Sequence, residues 1–273
     1  MRHFTSQSLL ILFMLILPAE FIQANERRFG FTYESSVLPA GVREIELWTT
    51  DRRGRGYFYH RLDQRIEFEF GVTDNLMSAF YLNSTSRTKD DNGDALGGMN
   101  ASSIEVSISN EWKYKLMDRT ADQFGCAIYG EFTLATDMYG LESKLIFDKQ
   151  IQHILVAADI TGEYEASSDI KNGIEEIETE VSLKPGIAAA YVADNGFGAG
   201  MELRSNNIFI SGSLQHASLF AGPTISYASE AMWFTISFMP QIHSFAGGTT
   251  ASKDLDLGEF EKFQTRLLLS FRL

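Results

Sequence analysis

The chain has 273 residues, a formal net charge of −13 and a single cysteine, Cys126. This acidic charge argues against a nucleic-acid partner, because phosphate binding requires a basic surface. One cysteine excludes an intramolecular disulfide, and we predict no cofactor and no bound metal.

The first 24 residues have the layout of a secretory signal peptide. Met1, Arg2 and His3 form a short basic start, an apolar run follows from Leu9 to Leu17, and the small residue Ala24 precedes polar Asn25. The apolar run is too short for a membrane-spanning helix, which needs roughly 20 residues. We therefore predict a signal peptide over 1–24, and hence export, in preference to an N-terminal membrane anchor.

The exported part is predicted to have two regions. Residues 25–41 are interpreted as a periplasmic lead-in segment, and 42–273 as an outer-membrane β-barrel. Within the lead-in, Phe29, Phe31 and Tyr33 alternate with other residues. Their spacing is regular enough for the segment to pair with other structure, so that question stays open at this point.

Apolar and polar residues alternate along most of 42–273. In the clearest case, Ile104, Val106 and Ile108 share one face of a segment whose other face carries Glu105 and Glu111. A strand sorts side chains in this way, whereas a helix would scatter them. Segments of about ten alternating residues are typical of outer-membrane strands. The pattern predicts about twelve strands, with ten or fourteen also compatible, near 42–50, 58–72, 76–86, 101–116, 124–136, 141–149, 154–165, 178–192, 196–204, 217–227, 232–243 and 260–273.

The fold class that follows is all-β, a closed antiparallel transmembrane β-barrel after a signal peptide. Short turns alternate with longer polar connections, as in bacterial outer-membrane barrels. The longer ones are predicted at Asp51–Gly56, Arg87–Asn100, Ala166–Ile174, Ser205–Gln215 and Ser244–Leu257. Pro185 and Pro223 interrupt strands and predict a bulge or a local break in pairing. The sixth strand is the weakest, because Ile146 and Asp148 share its inward face.

The last strand and the aromatic residues support the same fold. The chain alternates from Phe263 to its final residue, Leu273, which stands where outer-membrane barrels usually have Phe. Such an end strand is what the barrel-assembly machinery recognises in these proteins. Several aromatic residues fall at the periplasmic ends of the predicted strands, as in the aromatic girdle of a membrane interface. A soluble β-sandwich or lipocalin-like barrel would not place its aromatic residues at one common height along the strands. The residues are Phe70, Tyr114, Phe124, Tyr191, Phe197, Tyr227 and Phe271.

Two stretches near the start resemble a family of uncharacterised Gram-negative outer-membrane proteins, loosely described as transporter-like or porin-like. One is Leu38-Pro39-Ala40-Gly41 followed by a Glu-rich strand ending in Trp48. The other is the hairpin Glu69-Phe70-Gly71-Val72-Thr73-Asp74. The resemblance covers about the first eighty residues, and the rest only by pattern. The resemblance implies an outer-membrane barrel but does not indicate a substrate.

The polar faces of the strands predict a lumen that is dense in charge and net acidic. A barrel of about twelve strands lies between filled eight-stranded barrels and open sixteen-stranded porins. We therefore predict a narrow passive channel for small solutes, with cations favoured by the acidic surplus. The predicted lumen-lining residues are Glu44, Glu46, Asp63, Arg65, Glu67, Glu69, Glu105, Glu111, Lys113, Glu131, Asp159, Glu163, Glu180, Lys184, Glu202, Arg204 and Arg266.

Other function classes are compatible with the same barrel. Its interior charges can pair with one another and leave a non-conducting structural or surface-binding barrel. An outer-membrane hydrolase is not favoured, because the rim histidines His60, His216 and His243 are accompanied by no Gly-x-Ser-x-Gly motif. The predicted partners are outer-membrane lipid and lipopolysaccharide, the barrel-assembly machinery through the last strand, and small solutes. The predicted location is the outer membrane of a Gram-negative bacterium.

Overall fold

Twelve antiparallel strands form the body of the protein. The computed structural model describes residues 26–90, 100–171, 174–248 and 254–273. The predicted signal peptide and the middle of the loop Arg87–Asn100 lie outside these residues. The strands are β1 (Arg43–Arg53), β2 (Tyr59–Thr73), β3 (Leu76–Asp90), β4 (Asn100–Met117), β5 (Gly125–Leu134), β6 (Met138–Ile151), β7 (Ile154–Lys171), β8 (Ile174–Val192), β9 (Phe197–Ile210), β10 (Ser213–Ala228), β11 (Met232–Ala246) and β12 (Phe263–Arg272).

The sheet closes on itself. Each strand pairs with its neighbours in sequence, and β1 pairs with β12, so the order forms a ring. The closing register runs from Glu44 opposite Arg272 to Arg53 opposite Phe263. The prediction of a closed all-β barrel with twelve strands is therefore confirmed. Within the described residues, no helix is long and apolar enough to cross a membrane.

The outer face of the ring is apolar and accessible, which inverts the usual rule for a soluble protein. Ile108 is 58% exposed, Phe80 57% and Ile187 55%, although all three are in the middle of long strands. Neighbouring aromatic rings form contacts on this face, including Phe197 with Tyr227 at a centroid distance of 4.8 Å. Such an outer surface fits hydrocarbon rather than water, since large exposed apolar patches are rare on soluble monomers.

The two ends of the barrel differ in their connections. At one end, which we call the turn end, lie the start of β1, the end of β12 and the connections 74–75, 118–124, 152–153, 193–196 and 229–231. The opposite end, called the loop end, has the connections 54–58, 91–99 and 247–262. The predicted alternation of short and long connections is therefore only partly right, because both ends combine short turns with at least one longer connection.

Two predicted long loops are wrong. Strand β7 runs to Lys171 and β8 begins at Ile174, so the first of them, Ala166–Ile174, is mostly strand. The second is Ser205–Gln215. Strands β9 and β10 continue through it and meet at a two-residue turn, Ser211-Gly212, whose φ angles are 51° and 76°. Positive φ at both central positions is the geometry of a tight hairpin turn whose twist matches its strands. The sequence alternation fades here because the strands extend past the apolar belt, where their outward residues no longer need to be apolar.

Both predicted proline defects lie at breaks in the ladder. Pairing between β8 and β9 is interrupted from Leu183 to Gly186, around Pro185. Pairing between β10 and β11 is interrupted from Phe220 to Thr224, around Pro223. Proline has no backbone N–H to donate, so the ladder is lost on one side of each residue while the other side stays paired.

Candidate functional site in the barrel interior

An N-terminal segment, residues 26–41, lies inside the ring of strands, and we call it the inner segment. Phe29 and Leu38 are fully buried, and Phe31 is 3% exposed. The lead-in predicted for 25–41 is therefore not an element outside the barrel over its described part. The alternation of Phe29, Phe31 and Tyr33 does meet other structure, but through side-chain packing and hydrogen bonds to the barrel wall rather than as a strand of the sheet.

The inner segment enters the barrel at the turn end through a tight bend. Gly41 has a φ of 81°, a region that residues with a side chain rarely adopt. Its N–H donates to the Gly71 carbonyl at 3.0 Å, and the Gly71 N–H donates to the Val42 carbonyl at 2.9 Å. A Cβ on Gly71 would lie 1.9 Å from the Pro39 carbonyl oxygen. The two motifs that carried the family resemblance are thus in contact and form this bend.

A single carboxylate, that of Glu202 on β9, holds the middle of the inner segment. Its oxygens accept hydrogen bonds from the backbone N–H groups of Gly30 at 2.9 Å, Phe31 at 2.8 Å and Thr32 at 2.8 Å. The Ser237 hydroxyl donates a fourth at 2.5 Å. Charge-assisted hydrogen bonds from consecutive N–H groups fix the path of a segment that has no strand partner.

A second anchor lies near the turn before β5. Arg119 donates to the Glu34 carboxylate at 2.5 Å and lies 3.7 Å from Asp148. Asp148 also accepts from the Ser35 N–H at 3.0 Å and from its hydroxyl at 2.5 Å. Burial alone lowers the pKa of Arg119, but the carboxylates of Glu34 and Asp148 hold it above its usual value. The guanidinium therefore stays charged, and this anchor is an ion pair.

Three aromatic side chains of the inner segment fill separate pockets of the wall. Phe29 packs against Leu155, Ala157, Ala188 and Ala190. Burying one such ring stabilises this arrangement by roughly 1.5–3 kcal/mol.

The other two rings pack in the same way. Phe31 contacts a cluster that includes Phe220 and Met239, and Tyr33 packs on Tyr129 and Ile146. The inward position of Ile146, which made the sixth strand weak by pattern, is therefore explained by the Tyr33 ring above it.

An acidic wall faces the inner segment at the turn end. Carboxylate oxygens of Glu46, Glu67 and Glu69 all lie within 4.8 Å of one another, the only described group of this kind with metal-ligand composition. Arg27 of the inner segment lies 3.9 Å from Glu46 and supplies a cation at this point. Arg27 also stacks on the Tyr33 ring at 4.2 Å. In the closed barrel the inner segment thus supplies part of the counter-charge of the wall, beside Arg65, which lies 3.6 Å from Glu67.

A cavity of about 330 Å³ lies on the loop-end side of the inner segment. Phe31 and Tyr33 are among the residues that line it. The connection before β12 folds inward at the loop end, where Phe260 packs on Phe220 and Asp256 accepts from His216 at 2.6 Å.

The structure divides the predicted lumen residues into three groups. Glu105 and Glu180 are exposed near the loop end. Five are partly buried and line the cavity, namely Asp63, Arg65, Glu163, Lys184 and Arg204. Ten are at most 6% exposed, and Glu131 and Arg266 among them also line the cavity. These ten are Glu44, Glu46, Glu67, Glu69, Glu111, Lys113, Glu131, Asp159, Glu202 and Arg266.

Sequence reasoning missed the residues of the inner segment as part of the interior. Two of its residues contact predicted lumen residues, since Arg27 lies near Glu46 and the Phe31 ring contacts Arg266. A third, Glu34, pairs with Arg119. A signal was present, because apolar residues such as Ile146 and Leu155 fall on otherwise polar inward faces. An inward apolar residue in a polar lumen requires an apolar partner, and here the partners are the alternating rings of residues 29–33.

Comparison with known proteins agrees with this architecture. A sequence-family model described as a family of unknown function (DUF6662) matches residues 21–273. No curated protein matches the chain. Among solved structures, an outer-membrane channel from Pseudomonas putida F1 superposes with a TM-score of 0.60 at 13% identity, covering 88% of this chain and 98% of that one.

Two autotransporter barrels are also similar. The β domain of Bordetella BrkA gives a TM-score of 0.54 at 10% identity, over 86% of this chain and 100% of that one. The translocator domain of NalP from Neisseria meningitidis gives 0.52 at 11% identity, over 86% and 89%. At these identities the likeness shows the fold alone, which is that of an outer-membrane β-barrel.

Proposed function

We propose that this chain, which belongs to the DUF6662 family of unknown function, is a narrow outer-membrane channel for small solutes that the inner segment closes. The observation that carries the proposal is a segment without a strand partner that is held inside the polar interior, chiefly by Glu202. A barrel that needed only to be filled could bury apolar side chains from its own strands. The similar Pseudomonas putida F1 protein is an outer-membrane channel, which supports the same class.

The orientation and partners of the barrel form part of this proposal. Outer-membrane barrels keep short turns and both chain ends on the periplasmic side, so the turn end would face the periplasm and the cavity the exterior. The apolar outer face would contact lipid, with lipopolysaccharide at the outer leaflet. Strand β12, which ends at Arg272, would be recognised by the barrel-assembly machinery. The location would be the outer membrane of a Gram-negative bacterium, after removal of a signal peptide over 1–24.

Opening requires that the inner segment leave the interior. Among the described residues, 26–41 contribute no strand to the ring, and β1 begins at Arg43, after the bend. The ladder therefore does not depend on the segment. The hydrogen bonds to Glu202 and Asp148 would be exchanged for bonds to water, which makes the net cost much smaller than the number of bonds suggests.

The open lumen is proposed to favour cations. Once Arg27 no longer offsets them, the wall near the turn end presents Glu46, Glu67 and Glu69 beside Glu44 and Glu111, all buried in the closed form. Low-dielectric walls focus the field of such a group and raise the local concentration of cations.

A second candidate, a non-conducting structural or surface-binding barrel, is favoured by one observation. Many interior charges are already paired, as Arg65 is with Glu131 at 3.2 Å and Arg52 is with Asp63 at 2.7 Å. A fully paired interior would stabilise the wall without conducting. Neither candidate is an enzyme, and the His216–Asp256 pair is part of the folded-in connection rather than of an assembled nucleophile site.

Planar-bilayer recording of the refolded protein under a tenfold KCl gradient tests this function. We expect infrequent openings. Their reversal potential should lie nearer the equilibrium potential of K⁺ than that of Cl⁻, because the turn-end wall is acidic. A reversal potential on the anion side would contradict the proposed selectivity. Silence of both the wild type and a variant with a released inner segment would favour the non-conducting barrel.

A further inference from the structure

The cavity at the loop end has the opposite charge balance from the wall at the turn end. Its lining includes seven basic and five acidic side chains. The basic ones are Arg52, Arg61, Arg65, Lys144, Lys184, Arg204 and Arg266, and the acidic ones are Asp63, Glu131, Glu142, Glu163 and Glu165.

Most of these cations have a carboxylate partner. Arg52 and Arg61 share Asp63, at 2.7 and 2.6 Å. Lys184 bonds to Glu163, Lys144 to Glu142, and Arg65 to Glu131. One carboxylate serves two arginines, and Glu165, the fifth acid of the lining, forms no ion pair with a described cation.

Arg204 and Arg266 are the two cations left over. Within the part of the chain that the structure describes, neither has a carboxylate oxygen within 4 Å. Arg266 is fixed by bonds to the Thr50 hydroxyl at 2.9 Å and the Gly30 carbonyl at 3.0 Å. Arg204 forms no hydrogen bond to any described residue, although its neighbours on the cavity lining are polar.

The two guanidinium groups lie over the same ring. The Arg266 guanidinium carbon is 4.0 Å from the centre of the Phe31 ring, and that of Arg204 is 5.8 Å from it. Both are thus at the inner floor of the cavity, above the inner segment. Two like charges held near each other at a half-buried site are costly unless an anion joins them.

We propose that Arg204 and Arg266 form a binding site for a small oxyanion, a carboxylate or a phosphate group, at the floor of this cavity. Planar guanidinium groups bind such anions by paired, charge-assisted hydrogen bonds. The volume of about 330 Å³ sets an upper limit near the lower end of the usual range for small-molecule pockets. The site belongs to the closed barrel, because Phe31 and Gly30 complete its floor, and it does not require the protein to conduct.

Isothermal titration of the refolded full-length barrel in detergent at low ionic strength tests the site. Sodium glucuronate and inorganic phosphate are the two probes, and they separate the carboxylate from the phosphate source. The principal variant is Arg204→Gln, because Arg204 makes no bond whose loss would disturb folding. Arg266→Gln is the second variant. Arg53→Gln is the matched control, since Arg53 is an exposed cation outside the cavity.

We expect at least one probe to bind to the wild type and to Arg53→Gln with equal affinity. Loss of one charge-assisted donor should weaken that binding by about tenfold or more in Arg204→Gln. Absence of heat with both probes in the wild type would overturn the proposal. So would binding that Arg204→Gln leaves unchanged. Channel recordings do not enter this test, so its failure would leave the proposed conduction untouched.

Discussion

The change from Glu202 to alanine is expected to open the barrel. This carboxylate accepts three consecutive N–H groups of the inner segment and the Ser237 hydroxyl. Each hydrogen bond to a charged group contributes roughly 1.5–3 kcal/mol, and a buried N–H left without a partner is costly. A loss of about 3 kcal/mol from the closed state alone would raise the open-to-closed ratio about 100-fold. Planar-bilayer recordings of open probability measure it directly.

The control for this variant is Glu105→Ala. Glu105 is also an acid on an inward face of the barrel, but it is exposed near the loop end, where it pairs with Arg87. The recordings of Glu105→Ala should match those of the wild type. An open probability in Glu202→Ala no higher than that of this control would show that the carboxylate does not hold the closed state.

The second large effect concerns the outer face. Ile108 lies at the middle of β4, opposite Leu82 on β3 and Leu134 on β5, and all three are accessible. An arginine on the lipid face near the bilayer midplane destabilises an outer-membrane barrel by roughly 2–4 kcal/mol. We therefore expect Ile108→Arg to lower the free energy of unfolding from vesicles by that amount, measured by denaturant titration of the folded fraction.

Ser102→Arg is the matched control on the same strand and the same face. Ser102 lies six residues nearer the loop end, opposite Thr88, where the cost of a lipid-facing arginine falls to about 0–1 kcal/mol. Equal losses from both variants would be incompatible with a hydrocarbon belt centred near Ile108. They would then reflect a general intolerance of β4 to arginine.

The strands could be predicted because a pleated strand has a period of two. The alternation around Ile104–Ile108 requires one face in hydrocarbon and the other in a polar interior. Whether a residue points to lipid or to the lumen therefore follows from its parity, that is, from its even or odd position along the strand. The same parity assigned Glu67, Glu111 and Glu202 to an inward face, where the structure buries them. Closure followed because an open edge has no hydrogen-bond partner in lipid.

The contents of the lumen could not be predicted in the same way. Parity tells which residues point inward but not what they meet there, so Ile146 weakened the sixth strand by pattern although Tyr33 packs on it. Leu155, also inward, packs against Phe29. Strand ends were also beyond the pattern, as at Ser211-Gly212, because the alternation stops where the lipid stops. The use of Leu38–Gly41 and Gly71–Asp74 as signs of a family stays a prediction, although the two stretches form one bend.

The conductance of a chain that lacks residues 26–36 tests the central claim most directly. The deletion retains the apolar contacts of Val37 and Leu38 with Met77 at the bend, and it retains all twelve strands. If the inner segment closes the lumen, the refolded deletion variant should conduct continuously where the wild type is mostly silent. A deletion variant that inserts as a folded barrel and conducts no more than the wild type would contradict closure by this segment.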